Sequence, residues 1–305
     1  MIKLAKIIKE YRIDVVNAHH YMSCFYSFFG TRVMNRIRLV YTEHSVPEVE
    51  GLANSIHYKI FHLMLYEING VIGVSRAITE KFEEKYPSHV GKFYEVLNGV
   101  DIDKFQSKGM RESVRRKWGF GMDHFVVGTV ANFRKIKNHV CLVRAANRLK
   151  DTHPQLRLFF VGTGFPGDKE NSINEVMDAV NEYRLEDRVV FAGYQENISE
   201  ILSSFDLFCL PSKSEGLPVS VLEAMAAGIL VVGSNVSGIV EVVENGKTGI
   251  LFSSDSDSDL ALALEKIIAR PDIAKLMAHN GFLFVSNAHN IKNWESKYSK
   301  ILLAQ

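Results

Sequence analysis

A chain of 305 residues that is 47% hydrophobic can bury more than one core, so two globular domains are expected. Its 36 Lys and Arg against 35 Asp and Glu leave a net charge of +1, which excludes a global field for nucleic acid and makes any electrostatic function local. Cys24, Cys141 and Cys209 stand far apart among apolar neighbours, which argues against a disulfide framework or a metal cluster and fits a reducing cytoplasm.

In chain order, MIKLAKIIKEYR alternates apolar and basic residues at helical spacing and lacks the long apolar core and cleavage site of a secretory signal, so it reads as an amphipathic helix. DVVNAH, LVYTEH, GVIGVS and FYEVLN then read as strands with helical segments between them, a smaller α/β domain. Sheets of this class normally open with a strand whose turn feeds the first helix. Here the chain starts inside a helix, so this first domain is expected to be incomplete. Turn residues and the charge-rich RESVRRKWG interrupt the strand pattern over 101–121, which puts the boundary near Ser107.

From Asp123 onward, strand and helix alternate. FVVGTV precedes a helix over 139–151, LRLFFVG one over 172–182, and RVVFAG one over 198–204. DLFCL precedes the helix opened by Pro218, ILVVGS a short helix near 239–244, and GILF a helix over 260–269. That order predicts a complete doubly wound parallel sheet. SSDSDSD, at 253–259, lacks the glycine and distal glutamate of a calcium loop, and its position before LALALEKII reads as helix capping. The charge-light stretch 224–240 is broken by Gly228, Gly233 and polar residues, which ill suits a membrane span.

The chemistry concentrates in LPSKSEGLPVSVLEAMAAG, 210–228. Between Gly216 and Ser234, Glu223 is the only charged residue, on a helix otherwise small or apolar. Such a carboxylate costs several kcal/mol when ionised and partly buried unless it is hydrogen-bonded, and the paired hydroxyls of a ribose match its two oxygens. Pro218 suits a first helical turn, so the free N–H groups of that helix end suit a phosphate. Upstream, VGTVANFRKIKNH places Arg134 and Lys137 on a loop at the carboxyl end of a strand, where sheets of this class bind ligands.

Glu215 and Glu223 have seven residues between them, and SEGLPVSVLEAMAAG resembles the E-x7-E signature of the retaining glycosyltransferases of family four, which have the GT-B fold. VLNGVDIDKF, FFVGTG and RVVFAGYQENISEILSSFDLFCLPS extend the resemblance to nearly the whole chain. It implies a GT-B fold of two doubly wound Rossmann-like domains, the first incomplete, with bounds 1–107, 108–284 and a last helix over 285–305 packed back on the first domain. It implies Glu215 beside the donor sugar, amides of Gly216 and Leu217 ahead of Pro218 on the diphosphate, and Glu223 on the ribose. Arg134 and Lys137 would neutralise the leaving diphosphate, and Gly193 and Tyr194 would lie near the base. His44, which ends LVYTEH just after the predicted strand, matches the active-site histidine of the family's T-x-H segment, and His19, which ends DVVNAH, a second; His20 and His139 are treated as neighbours.

The implied activity is transfer of a sugar from a UDP- or GDP-sugar to an acceptor hydroxyl with retention, in polysaccharide or glycolipid synthesis. No cofactor or metal is expected, since fixed cations and a helix dipole replace it. The expected partners are the nucleotide-sugar donor and a carbohydrate or lipid-linked acceptor, with no nucleic acid. The expected location is the cytoplasm; FYSFF and TRVMNRIRL read first as a buried helix with a solvated edge, with peripheral contact to the inner face of the membrane as the other reading. Family members begin with a strand and glycine-rich turn, and the opening helix here matches a later element, so donor binding is expected to survive better than transfer. Two alternatives follow: a nucleotide-sugar-binding protein that needs a partner, and a GT-B nucleotide-sugar epimerase.

Overall fold

A computed structural model describes residues 2–32, 37–45, 49, 56–106 and 109–303. The chain divides into two compact units: Met1–Gly99 with Glu215–Leu217 and Ile291–Gln305, and Val100–Ser214 with Pro218–Asn290. The boundary expected near Ser107 lies outside the described residues.

The first unit runs α1 (Ile2–Glu10), β1 (Val15–His19), α2 (Tyr21–Thr31), β2 (Arg38–Glu43), α3 (Ile56–Leu65), β3 (Gly70–Gly73), α4 (Arg76–Lys85) and β4 (Phe93–Glu95), and it includes the chain's last helix, Ile291–Leu303. The four strands expected from the sequence form one parallel sheet in the order β1-β2-β3-β4. Helix-covered parallel strands are buried on both faces, and in β2 everything from Leu39 to Glu43 is buried. Tyr41, Phe61, Phe82 and Tyr86 pack ring to ring beneath the sheet, with Tyr41 and Phe61 5.4 Å apart and near-perpendicular. On the last helix, Tyr298 joins a cluster with Val40, Ile72 and Val96, and Trp294 and Ile301 pack against it.

The second unit runs α5 (Arg111–Lys117), β5 (Phe125–Val130), α6 (His139–Leu149), β6 (Leu156–Val161), α7 (Ile173–Glu182), β7 (Val189–Phe191), α8 (Ile198–Leu202), β8 (Leu207–Leu210), α9 (Val219–Ala226), β9 (Leu230–Ser234), α10 (Ser237–Val240), β10 (Ile250–Phe252), α11 (Asp257–Ala269) and α12 (Pro271–Ala288). The last helix is α13. Six parallel strands lie in the order β10-β9-β8-β5-β6-β7. The chain goes from β5 outward to β7, then returns to β8 on the other side of β5. The carboxyl ends of β5 and β8 therefore flank the topological switch point, where sheets of this kind bind ligands.

Ser256 caps α11, its hydroxyl accepting from the Asp259 amide at 3.2 Å, so the acidic run serves the helix start. The helix expected near 239–244 is a single turn, Ser237–Val240, because Val242 and Val243 leave it for the core. RESVRRKWG, expected only to interrupt the strands, holds α5. One face of α5 is polar yet buried: Arg115 is 1% exposed. Its Nε donates to the Ser204 carbonyl at 3.0 Å, and its Nη1 donates to the Gly121 and His124 carbonyls, each at 3.1 Å. Its Nη2 pairs with Asp206, whose Oδ2 also accepts from the Val126 amide at 2.7 Å. Burial lowers the guanidinium's affinity for its proton, and Asp206 offsets part of that. This node ties α5, β5 and the start of β8 together. Arg115→Met should cost about 2–3 kcal/mol in urea unfolding, because the Ser204, Gly121 and His124 carbonyls lose their buried donor while Asp206 keeps only the part-exposed Arg111. Arg116→Met, at an exposed i,i+4 pair with Glu112, should stay within about 0.5 kcal/mol.

Candidate functional site

In the second unit, the loops after β5, β6 and β7 surround a cleft of about 390 Å3 with Lys104 and Phe105 along one wall and Glu223 of α9 in another. The loops approach closely because Gly162 has no side chain: a Cβ there would stand 2.1 Å from the Ala131 carbonyl oxygen, and its φ of +140° disfavours any other residue. Its amide donates to the Gly193 carbonyl at 2.9 Å, which joins the β6 and β7 loops. Tyr194, 72% exposed, stands in the lining as an unburied ring able to stack on a flat ligand.

Glu223 is the chemically distinctive group. It is half-buried on a helix whose residues Val221, Leu222, Ala224, Met225 and Ala226 are core, and among the described residues no hydrogen bond reaches its carboxylate. Burial raises its pKa from 4.5 to about 7, against the smaller opposing pull of the Lys104 charge. Lys104 is carried by a short turn, Asp103–Phe105, which Gln106 ties to α9 by donating to the Ala226 carbonyl at 2.6 Å. The cleft thus offers a protonatable carboxyl, a cation and an exposed aromatic ring. A second hollow of about 410 Å3 beside β10 and α11 has Asp259 and Lys266 as its charged groups, and none of the sequence-derived candidates lines it.

Of those candidates, the cleft brings together Glu223 and Tyr194. Asn132, and not Arg134, faces it from the β5 loop. Arg134 Nε lies 3.7 Å from Asp168 Oδ2, and Lys137 sits in the turn Lys135–Lys137 that leads into α6. Pro218 is the cap of α9, one position ahead of the helix that the sequence places it in, and its carbonyl accepts from the Val221 amide at 3.1 Å. Its missing N–H suits that position, and the amides of Val219 and Ser220 open the helix. His139 is buried against Phe133 and Phe160, and desolvation drops its pKa to about 3, a core histidine.

The first unit gathers the other candidates. Glu43, fully buried at the end of β2, accepts from the His44 and Ser45 amides at 2.7 and 2.8 Å and from the Tyr41 hydroxyl. A buried carboxylate satisfied in this way bends the backbone so that His44 leaves the strand. His19 Nδ1 and His44 Nε2 are 2.7 Å apart, and the His20 ring stands 5.3 Å from that of His44, with its backbone at φ +66°. Glu215–Leu217 belong to this unit. A Cβ on Gly216 would stand 1.9 Å from the His44 carbonyl oxygen, and Asn98 Nδ2 donates to the Leu217 carbonyl at 2.9 Å. Glu215 is half-buried beside them.

Sequence reasoning passed over Lys104, Glu43, Asn17 and Tyr298; Asn132 it weighed only as the position where many family members carry the arginine assigned here to Arg134. Lys104 falls inside VLNGVDIDKF, and Glu43 inside LVYTEH, so both segments were marked without these two residues. Among the described residues, no group of three or more His, Cys, Asp or Glu is arranged to hold a metal ion, and no helix is long and apolar enough to cross a membrane.

Parallel Rossmann-like sheets in both units, with a ligand-sized cleft at the carboxyl strand ends of the second, define the fold class as GT-B. The crystal structure of Anabaena HepE in complex with UDP and glucose matches with a TM-score of 0.88 at 22% identity, over 99% of this chain and 81% of that one. The model of the glycosyl transferases group 1 matches residues 110–284 and that of glycosyltransferase family 4 residues 1–104. The chain belongs to the glycosyl transferases group 1 family. It is 26% identical over 253 residues to an N-acetyl-alpha-D-glucosaminyl L-malate synthase of Bacillus anthracis, a match covering 82% of this chain and 64% of that relative. It is 26% identical over 304 residues to a D-inositol 3-phosphate glycosyltransferase of Actinosynnema mirum, covering 95% and 72%.

The Glu223 carboxyl keeps its proton to about pH 7 in the fold but only to its ordinary 4.5 when unfolded. Between those values the folded state binds more protons, so stability falls as pH rises through that window. Glu223→Gln should remove the fall. At pH above 7 and without ligand, the variant should melt higher than the parent, by about 2 kcal/mol of stability; in acid, below the window, the two should coincide. Parallel pH–melting curves measure this.

Proposed function

We propose that the second unit binds a nucleoside diphosphate sugar and that the whole protein transfers its sugar to an acceptor hydroxyl with retention of configuration. The observation that carries the reading is Glu223: a half-buried carboxyl that no hydrogen bond reaches among the described residues, beside Lys104 in a cleft with an exposed Tyr194 ring. Two ribose hydroxyls would supply the missing donors, Tyr194 a face for the base, and Lys104 with the opening amides of α9 the charge for the diphosphate. Stabilising negative charge as the diphosphate departs is the largest contribution such a site can make to the barrier. Lys137 and Arg134 take the part that the family resemblance gives them in the same task. The UDP and glucose named for the Anabaena structure support uridine diphosphate as the first donor to test, with GDP as comparison.

Glu215 and His44 are assigned to the sugar, His44 as a hydrogen-bond donor to a hydroxyl. No metal or cofactor is assigned, because fixed cations and amides carry the leaving charge. We assign the acceptor to carbohydrates, free or lipid-linked, in polysaccharide or glycolipid synthesis at the cytoplasmic face of a membrane. Tyr26 and Phe29, 49% and 38% exposed on α2, support the peripheral contact. Residues 33–36 of the basic segment lie outside the described residues.

Ribose hydroxyls favour the ionised carboxylate, so donor binding should expel the Glu223 proton and tighten as pH rises through about 7. Calorimetry of UDP in two buffers of different ionisation enthalpy, slightly below neutrality, should show fractional proton release. Glu223→Gln should abolish the release and weaken binding roughly ten- to hundredfold. An absence of UDP and GDP binding, or a proton count that the variant leaves unchanged, would sink the reading. Transfer to sugar acceptors is then scored separately; donor conversion with no acceptor present would indicate an epimerase instead.

A further inference from the structure

β1 and β2 lie parallel with His19 beside Thr42, and they place a closed set of polar side chains behind the histidine pair. Thr42 Oγ1 donates to Asn17 Oδ1 at 3.0 Å. Asn17 Nδ2 donates to the Tyr298 hydroxyl at 2.6 Å and stands 3.1 Å from His19 Nε2. The Tyr298 and Thr42 hydroxyls are 2.8 Å apart. Each gap must hold one hydrogen, and the count closes. The Thr42 proton is committed to Asn17, so Tyr298 must donate to Thr42. One Asn17 N–H goes to Tyr298, and the other meets the lone pair of His19 Nε2.

With the Asn17 amide oxygen turned to Thr42, His19 carries its proton on Nδ1. That nitrogen faces His44 Nε2 at 2.7 Å, with the rings 24° from parallel and 5.0 Å between centroids, the separation expected for an edge-to-edge N–H···N bond. His44 Nε2 is then the acceptor, and a neutral His44 carries its own proton on Nδ1. We propose that Asn17, clamped by Thr42 and by Tyr298 of α13, is a positioning residue that sets the tautomer of His19 and through it fixes His44 as an Nδ1–H donor. This rests on the reading of His44 as a sugar-handling residue. The relay itself is a property of the free protein.

Two features strengthen it. Burial, and then the neighbouring His20, lower the His19 pKa, so His19 is neutral at physiological pH and able to pass on a tautomer. Thr42 is 1% and Tyr298 8% exposed, so the clamp on the amide is shielded from competing water. The reverse amide orientation would invert each hydrogen bond along the line and leave His44 as an Nδ1 acceptor. The two arrangements are thus distinguishable by where one proton sits.

The test is the long-range nitrogen–proton correlation spectrum of the imidazoles in the full chain at mildly alkaline pH, assigned with His19→Gln and His44→Gln. The expected result is a protonated Nδ1 and a bare Nε2 on both rings. In Asn17→Asp the carboxylate can only accept, so His19 should move its proton to Nε2 and His44 should exchange the roles of its two nitrogens. Tyr298→Phe should loosen the amide and give mixed tautomers. A protonated Nε2 on His44 in the parent, or an Asn17→Asp spectrum that keeps the parental pattern, would overturn the relay. UDP binding by the same samples separates the two readings. A correct tautomer without donor binding would count against the proposed function alone, and donor binding with the wrong tautomer against the relay alone.

Discussion

One half-buried carboxyl group that no hydrogen bond reaches among the described residues sets the character of the cleft in the second unit. Glu223 sits where Val221, Leu222, Ala224, Met225 and Ala226 have been committed to the core, so the helix cannot rotate its acid toward water without exposing them. What remains is to hold a proton or to find donors. Glu43 in the first unit is the informative contrast: it is more deeply buried, yet two backbone amides and a tyrosine hydroxyl meet it, and it serves as structure. Two buried acids in one chain therefore have opposite standing. The satisfied one shapes a loop, and the one that no hydrogen bond reaches among the described residues faces the cleft.

The position of Glu223 follows from topology before chemistry. Because β8 returns beside β5, the loops that leave both strands open at the place where the strand order reverses. The β5 loop delivers Asn132 to the cleft and carries Arg134 past it toward Asp168, and α9 begins after the β8 loop. Gly162 then lets the β6 loop close against the β5 loop at a distance no side chain would allow. A ligand-sized hollow is thus a consequence of strand order plus one missing Cβ.

Much of this was legible in the sequence, for a physical reason. Parallel strands buried on both faces are short, β-branched and continuous, so FVVGTV, LRLFFV and LVVGS announced themselves, and the isolation of Glu223 in an apolar run is itself a charge pattern. Helix α12 was not legible: its buried positions Met277, Ala278, Gly281 and Val285 form a stripe interrupted by a glycine, and Gly281 is demanded by the Thr248 carbonyl 2.9 Å from where a Cβ would stand. Nor was Arg115, since nothing local separates a buried arginine from its solvated neighbour Arg116; the difference lies with Asp206, distant in sequence. The placement of Arg134 was hidden for the same reason, because Asp168, which turns its guanidinium aside, follows a later strand. The polar partners Asn17, Thr42 and Tyr298 come from two strands and the last helix, and no window of sequence contains all three.

That last group bears on how a retaining transfer would move its proton. A histidine after a strand end is usually weighed as either a base or a donor, and near neutrality the residue type cannot choose between them. The choice here falls to an asparagine amide, which has no pKa in the range and so holds its orientation while the solution pH changes. If His44 is held as an N–H donor, it can grip a sugar hydroxyl but cannot take the acceptor's proton. The proton must then leave by another route, and the oxygen of the departing phosphate, gaining negative charge as its bond to the sugar breaks, is the base that the same step creates.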